Sequence, residues 1–515
     1  MITLFMISQV SVYQKEYSAK FGNSAQPVYG FRTIKYDPAS SIVIGRAGAG
    51  GAQRGFILLL NNQGNITYSI HFRKLPSGEL IFNDGIVLQN GNLVVVGSYG
   101  SIYSSDPAYP ALYYISGNYE LLDSGKVYIH NSLKFKYVLR LVDDGNGRLV
   151  VGSGFIMRLG YDGSVKWLKL LNVGILSSVY KDGKLYFTSG SGDSAIVLSV
   201  IDTSGILISS TKFKHNGSLL IPRSLKIYDG NFLIVGSIVF PDPNQGDNII
   251  SNPFDGLIVL LDGNHNVLWS KYYGIPSDTM TDDFFDGLID GNTIVVGGSC
   301  GLLKVVDNGD GTTTVFLDVF ACPLKLNKMS GIPLSNYVGI QRNFTDGYLN
   351  YREILKIDNG YLFSGTRLVM PMYTVYRTLY SYNLQTCNAS YFRDFTSLLT
   401  YSDILLTKEA YNLNLIDINP NEVIIQTDIQ YDTTRPAFSQ ASICSDQVIT
   451  SENTDTNCYY AIRGNEVIFK YDVKYKVFSV DGRLVLSGEG KSVKLNRSGL
   501  YMIKTDKFGV IKVRI

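Results

Sequence analysis

The sequence predicts an all-β protein: a β-propeller of seven or eight four-stranded blades followed by a small Ig-like β-sandwich. Three observations lead there. Glycine (51 residues) and tyrosine (36) are abundant in a 515-residue chain that is only 17% charged, and tyrosine suits a half-buried pleated surface while glycine supplies tight turns. Two kinds of hairpin alternate along most of the length. No amphipathic helix of useful length can be read from the pattern.

The N-terminal stretch "MITLFMISQVSVYQ" resembles the apolar part of a secretory leader without its basic start, so residues 1–8 are expected to be a truncated signal peptide. The next segment, "VYQKEYSAKFG" (12–22), has the pattern of the last strand of a blade with no hairpin before it. It is expected to complete the final blade and close the ring, leaving no open edge.

The first hairpin type has a polar turn with a glycine or asparagine, then a strand. Examples are "LNNQGNITYSIHF" (60–72), "LGYDGSVKWLKLL" (159–171), "IDTSGILISSTKF" (201–213) and "LDGNHNVLWSKYYG" (261–274). The second and fourth of these hold the chain's only tryptophans, Trp167 and Trp269. "VLWSKYYG" is read as the outermost strand of its blade, with Trp269 wedged against the neighbouring blade.

The second type runs from Asn/Asp-Gly through apolar residues up to a glycine. It recurs in "LQNGNLVVVGS" (88–98), "DDGNGRLVVGS" (143–153), "YKDGKLYFTSG" (180–190), "IYDGNFLIVGS" (227–237), "LIDGNTIVVGG" (288–298) and "KIDNGYLFSGT" (356–366). Weaker copies stand at 37–47 and 417–427, the latter a degenerate eighth unit. The runs end at 45, 97, 152, 190, 236, 297, 365 and 426, a spacing of 38 to 68 residues. All-strand repetition on this scale, with two hairpins per repeat, is the signature of propeller blades. The propeller is assigned to residues 9–430. Residues 431–458 are polar, Ser/Thr-rich and without periodicity, and read as a linker. Short alternating strands then predict a sandwich over 459–515.

The repeat "DG-x-apolar-apolar-G" followed by "D-x-x-G-x-x-x-W-x-K-x-Y-G" resembles secreted bacterial propellers with tryptophan-containing repeats, and quinoprotein-like propellers. The cofactor ligands of the quinoprotein family have no match here. "VFSVDGRLV" (477–485), "SGLYMIKT" (498–505) and "GVIKVRI" (509–515) make the C-terminal stretch similar to the sorting domain of the type IX (Por) secretion system. Arg497-Ser498 stands where that pattern usually carries a proline. The resemblance implies an Ig-like fold, export by that machinery, and a secreted or outer-surface location.

Candidate chemistry is sparse. A net charge of +2 and no Lys/Arg cluster argue against a nucleic-acid partner. No apolar run reaches the length of a membrane span. "GRAGAGGAQRG" (45–55) breaks the dinucleotide spacing at Gln53 and precedes no helix. "DNGDGTTT" (307–314) has glycines where a calcium loop needs side-chain oxygens. No metal or cofactor is expected, and no catalytic residue is assigned. Cys300–Cys322 and Cys444–Cys458 are plausible disulfides, with Cys387 left over; free buried thiols are the alternative.

The long insertions at 98–110, 237–256, 274–284, 321–350 and 366–375 follow the glycine-ended strand or precede the next blade. Both connections lie on one face of a propeller, and ligand contacts collect on such loops. That nominates Tyr99, Tyr103, Asp106, Tyr109, Asp242, Asp247, Asp282, Asp283 and Tyr373, a mixture suited to carbohydrate. The expected function is a secreted or surface binding or scaffold module whose partner is a carbohydrate or a surface protein. An exported polysaccharide-acting enzyme using Asp282 and Asp283, and a structural protein of a cell or virion surface, are the alternatives.

Overall fold

In a computed structural model, residues 7–514 are described except 22–23, 38–39, 49–52, 76–77, 101–106, 118–124, 192–193, 241–253, 276–279, 308–312, 342–347, 358–359, 370–371, 388–390, 428, 430, 435–437, 452–459, 464, 480–482, 496–499 and 507–508. The described strands form seven propeller blades, each an antiparallel run of inner, second, third and fourth strands.

Blade 1 consists of Val28–Asp37, Ser40–Ala47, Arg54–Asn61 and Ile66–Lys74, and blade 2 of Glu79–Val87, Leu93–Gly100, Tyr109–Ile115 and Lys126–Ile129. Blade 3 is Val138–Asp143, Arg148–Gly152, Phe155–Leu159 and Val165–Leu171; blade 4 is Ile175–Lys181, Lys184–Gly190, Ile196–Asp202 and Leu207–Lys214. Blade 5 is Leu219–Tyr228, Asn231–Val239, Phe254–Leu261 and Val267–Gly274; blade 6 is Met280–Asp290, Thr293–Asp307, Thr313–Asn327 and Val338–Gln341. Blade 7 takes Tyr348–Ile357, Gly360–Val369 and Met372–Tyr380, and its fourth strand is the N-terminal Ile7–Phe21, which pairs Tyr13 with Leu379 and Tyr17 with Val375. The two ends of the ring are thus joined by hydrogen bonds within one sheet. Ile7 and Ser8, counted with the expected leader, lie in this strand; residues 1–6 lie outside the described residues.

The glycine-ended runs have a steric cause. In every blade the inner strand bulges against the second, skipping Phe31, Asn83, Leu139, Leu176, Arg223, Phe285 and Arg352 in turn. A β-bulge pushes the backbone towards its partner strand. A Cβ on Gly97 would sit 1.7 Å from the Ile81 carbonyl oxygen, and one on Gly298 1.8 Å from that of Asp283. Gly97, Gly236 and Gly298 give the space the bulge needs, whereas in blade 4 Ser189 stands opposite the bulge and Gly190 is clear of it. At the opposite end, Asp182-Gly183 and Asp229-Gly230 both hold positive φ at each central residue, the turn that matches strand twist in a two-residue hairpin.

Every blade also carries a fifth strand that the sequence pattern does not announce. After blade 7 the chain reverses and circles the rim, adding Tyr391–Asp394 to blade 6, Thr400–Asp403 to blade 5, Thr407–Ala410 to blade 4 and Leu415–Ile418 to blade 3. It goes on with Ile424–Gln426 on blade 2, Tyr431–Thr434 on blade 1 and Phe438–Ser451 on blade 7, where it pairs along the N-terminal strand from Ile7 to Ala19. We call this segment the belt. It corrects three expectations. The supposed eighth unit at 417–427 is belt on blades 3 and 2, so the ring has seven blades. Much of the supposed linker 431–458 is belt on blades 1 and 7. "VLWSKYYG" is a fourth strand with Thr400–Asp403 outside it.

Each interface between adjacent blades, or seam, holds its own apolar cluster; on the blade 6–7 cluster the belt packs Phe392 half-buried, and it drops buried side chains into the other six. These are Phe395 (blades 5 and 6), Ile404 and Leu406 (4 and 5), Leu413 (3 and 4), Val423 (2 and 3), Ile429 (1 and 2) and Phe438 (7 and 1). Trp269 packs half-buried on the blade 5–6 cluster and donates its indole N–H to the Lys328 carbonyl of blade 6 at 2.8 Å. Trp167 makes the same kind of contact between blades 3 and 4, donating to the Thr203 carbonyl at 3.0 Å.

Beyond the belt, Tyr460–Arg463, Glu466–Ser479, Leu484–Lys494, Leu500–Thr505 and Gly509–Arg514 form a separate five-stranded antiparallel sheet. Val467, Val477, Val493 and Ile503 lie in its own buried cluster.

Candidate functional site

The bulges do more than require glycine. The residue after each bulge is Arg32, Asp84, Arg140, Ser177, Ser224, Asp286 and Glu353 from blade 1 to blade 7, and together they make one polar ring around the central channel. Members of this ring, with their neighbours, latch all seven seams. Glu353 accepts from the Thr33 amide at 2.6 Å and from Arg32 Nη1 at 2.6 Å, and Arg32 Nε reaches Asp84 at 3.2 Å. Asp84 accepts from the Leu141 amide at 2.8 Å, and Arg140 Nη2 donates to the Ser178 carbonyl at 3.3 Å. Ser177 Oγ accepts from the Leu225 amide at 3.0 Å. Asp286 takes the Ser224 hydroxyl and Lys226 Nζ (3.2 Å) on one side and the Ile354 amide at 2.9 Å on the other. Carboxylates that accept from backbone N–H and from cations form strong charge-assisted bonds.

Above this ring the channel opens into a cavity of about 890 Å³ at the end carrying the Asn/Asp-Gly turns. Its walls are apolar (Ile86, Val142, Val179, Leu225), with Tyr161 and Tyr180 and the polar groups of Arg32, Arg140, Ser178 and Lys226 converging on it. Asp143 also lines it, accepting from the Tyr161 hydroxyl at 2.8 Å and the Gly145 amide at 3.0 Å. A cleft with mixed apolar and polar walls of this size has room for a small ligand.

Electrostatics separate the two arginines. Burial works against the charge of Arg32, but Glu353, Asp84 and Asp286 outweigh it and hold the guanidinium above its ordinary value. Arg140 is pushed the other way, first by the positive charge of Arg32 and then by burial.

Of the residues nominated from the sequence, none of the described ones lines this cavity. Tyr103, Asp106, Asp242 and Asp247 lie outside the described residues, as does the side chain of Tyr373. Tyr99 is buried and Tyr109 half-buried, both against the blade 1–2 cluster. Asp282, expected on a solvated loop, is fully buried. It accepts from the Tyr337 hydroxyl at 2.6 Å and the Ile275 amide at 3.1 Å, and burial raises its pKa to about 7. Asp283 pairs with Arg223 at 3.1 Å and takes the Ser237 hydroxyl. Asp282 is thus enclosed within the fold, while the half-buried Asp283 is engaged by Arg223 and Ser237. Cys300 and Cys322 are joined as a buried disulfide. Cys387, expected to be left over, is also disulfide-bonded, which leaves the expected Cys444–Cys458 pair one cysteine short; Cys458 and the side chain of Cys444 lie outside the described residues.

Sequence reasoning misses the cavity residues because they share no motif. Arg32, Arg140 and Lys226 stand on three different inner strands, each at or near a bulge that breaks the alternation used to assign faces.

No family model and no curated protein matches the chain. Among solved structures it is similar to BamB from Moraxella catarrhalis, at 13% identity over 73% of this chain and 98% of that one, with a TM-score of 0.30. It is also similar to a member of the duf4221 family from Bacteroides vulgatus (10% identity, 63% and 98% covered, TM-score 0.30). A third is the Nup133 β-propeller domain of Vanderwaltozyma polyspora (9% identity, 68% and 99% covered, TM-score 0.33).

Proposed function

We propose that the protein is a binding module of the cell surface or its surroundings, with the ligand seated in the turn-side mouth of the propeller channel. The observation that carries this reading is the cavity, where apolar walls and the groups of Arg140, Arg32, Lys226 and Ser178 converge on one space. A rigid frame keeps such groups in place without a ligand, which lowers the cost of binding. The seven seam latches and the belt supply that frame. A carbohydrate or part of a surface protein is the partner class.

The C-terminal sheet is proposed to be the export signal, an Ig-like sorting domain of the type IX kind. Its separate apolar cluster and the match of residues 477–515 support this, and a buried disulfide suits a protein that matures in an oxidising compartment. The binding role is tested by screening glycans and peptides for a rise in melting temperature, since a ligand that binds only the folded state stabilises it. Binding should be lost when Val142 and Val179 are enlarged to tryptophan to fill the cavity. A ligand that binds the filled variant as well as the parent would place the site elsewhere. Export is tested by fusing residues 460–515 to a periplasmic reporter in a host with that secretion system; a reporter that never reaches the surface would remove the sorting role.

A further inference from the structure

We propose that Arg140 is the anchor for an oxyanion, a carboxylate or phosphate group carried by a small ligand in the channel cavity. The inference rests on the binding role proposed above and names the chemistry of the ligand.

The lining of the cavity contains three cations, Arg32, Arg140 and Lys226, and one carboxylate, Asp143. The acids that would balance them, Asp84, Asp286 and Glu353, are absent from that lining. They are turned into the seams, where each accepts a backbone amide of the next blade. Arg32 is held from two sides by Asp84 and Glu353, and Lys226 by Asp286. Asp143 is occupied by Tyr161 and Gly145. Among the described residues Arg140 forms no ion pair, and its one hydrogen bond, to the Ser178 carbonyl at 3.3 Å, uses a single N–H of five. The rest of its fork is therefore available at the cavity.

The largest influence on its charge is repulsive, from Arg32, followed by burial, with Asp84, Glu353 and Asp286 acting more weakly in the opposite sense. Two like charges beside a low-dielectric wall raise the energy of the empty site and attract a negative group. A guanidinium meets carboxylate or phosphate with two parallel N–H bonds, which a lysine does not reproduce. The aliphatic and tyrosine walls would then take the body of the ligand, while the oxyanion fixes its orientation.

The test uses the full chain with inorganic phosphate, D-glucuronate and neutral D-glucose as probes at constant ionic strength, followed by calorimetry and melting temperature. At least one of the two anions should bind the parent more tightly than glucose. Arg140→Met should weaken that anion by about tenfold or more, as loss of a charge-assisted pair does, and Arg140→Lys should fall between. Without anion, Arg140→Met should melt close to the parent, because it removes the bond to Ser178 and the repulsion with Arg32 together. Equal anion affinity in parent and Arg140→Met, or no preference for either anion over glucose, would overturn the inference. A neutral ligand that protects the Val142 and Val179 amides from hydrogen exchange equally in parent and Arg140→Met would leave the channel as a binding site and remove only the oxyanion. If no ligand protects those amides in the parent, the binding role itself fails.

Discussion

Replacing Asp282 by asparagine should change how stability depends on pH, and the size of the change follows from the structure. The carboxyl is fully buried, with its oxygens facing the Tyr337 hydroxyl and the Ile275 amide. Burial dominates those two bonds and lifts its pKa from 3.8 to about 7. At about 1.4 kcal/mol per pH unit, keeping the folded protein ionised at this position costs on the order of 4 kcal/mol. An acid whose folded pKa lies above its unfolded one contributes its stability in full below the unfolded value and loses it as pH rises through the folded value. The parent should therefore lose stability from about pH 4 to about pH 7 and then level off. Asp255, raised by burial to about 6, adds a smaller slope within the same window. An asparagine at this position has no proton to lose, so Asp282→Asn should show only the shallower slope, and its deficit against the parent should shrink or reverse by about pH 8. Urea unfolding followed by the fluorescence of Trp167 and Trp269, both at seams, would read this directly. Parallel pH profiles for parent and variant would refute the assignment of Asp282 as a neutral buried acid.

Trp269→Ala should cost about 2–3 kcal/mol, the sum of a lost hydrogen bond to Lys328 and partial loss of seam packing, seen as a lower melting temperature. Trp167→Ala should cost a similar amount, and the double variant should be additive because the two rings sit in different seams with no shared partner. A chain ending after residue 459 keeps the belt and should melt like the full protein. One ending after residue 390 bares the outer edges of seven blades and should aggregate on gel filtration. Replacing both Cys300 and Cys322 by alanine releases a closure spanning 22 residues and should lower stability by about 3 kcal/mol, measured against the parent under oxidising conditions.

The blades are legible in the sequence because their strands carry long apolar runs between turns with fixed backbone needs. "LVVVG" at 93–97 reads as a buried strand, and its closing Gly97 marks the bulge opposite. The closing strand is legible as well, as it repeats the fourth-strand pattern out of place. The belt is not. Thr400–Asp403 and Thr407–Ala410 are almost wholly exposed on both faces, so they show no alternation. Only single buried side chains such as Leu413 and Val423 betray the path, at steps that match neither strand nor helix. The channel is hidden for another reason. A bulge adds one residue to the inner strand, so Arg140 takes the channel from a position that a regular strand would turn away.

The belt also fixes how this chain can change. Its strands begin at residues 391, 400, 407, 415, 424, 431 and 438, a stride of seven to nine residues for each blade passed. Repeat proteins ordinarily grow or shrink by gaining or losing whole units, since each unit touches only its neighbours. Here the number of units is recorded twice, once in the blades and once, in reverse, in the strap around them. A duplicated blade would arrive with no stride to match it, leaving one rim uncovered or dragging every later stride onto the wrong seam. Two coordinated insertions, far apart in the chain, would be needed at once. The ring is held at its present size by a gauge carried in its own C-terminal part.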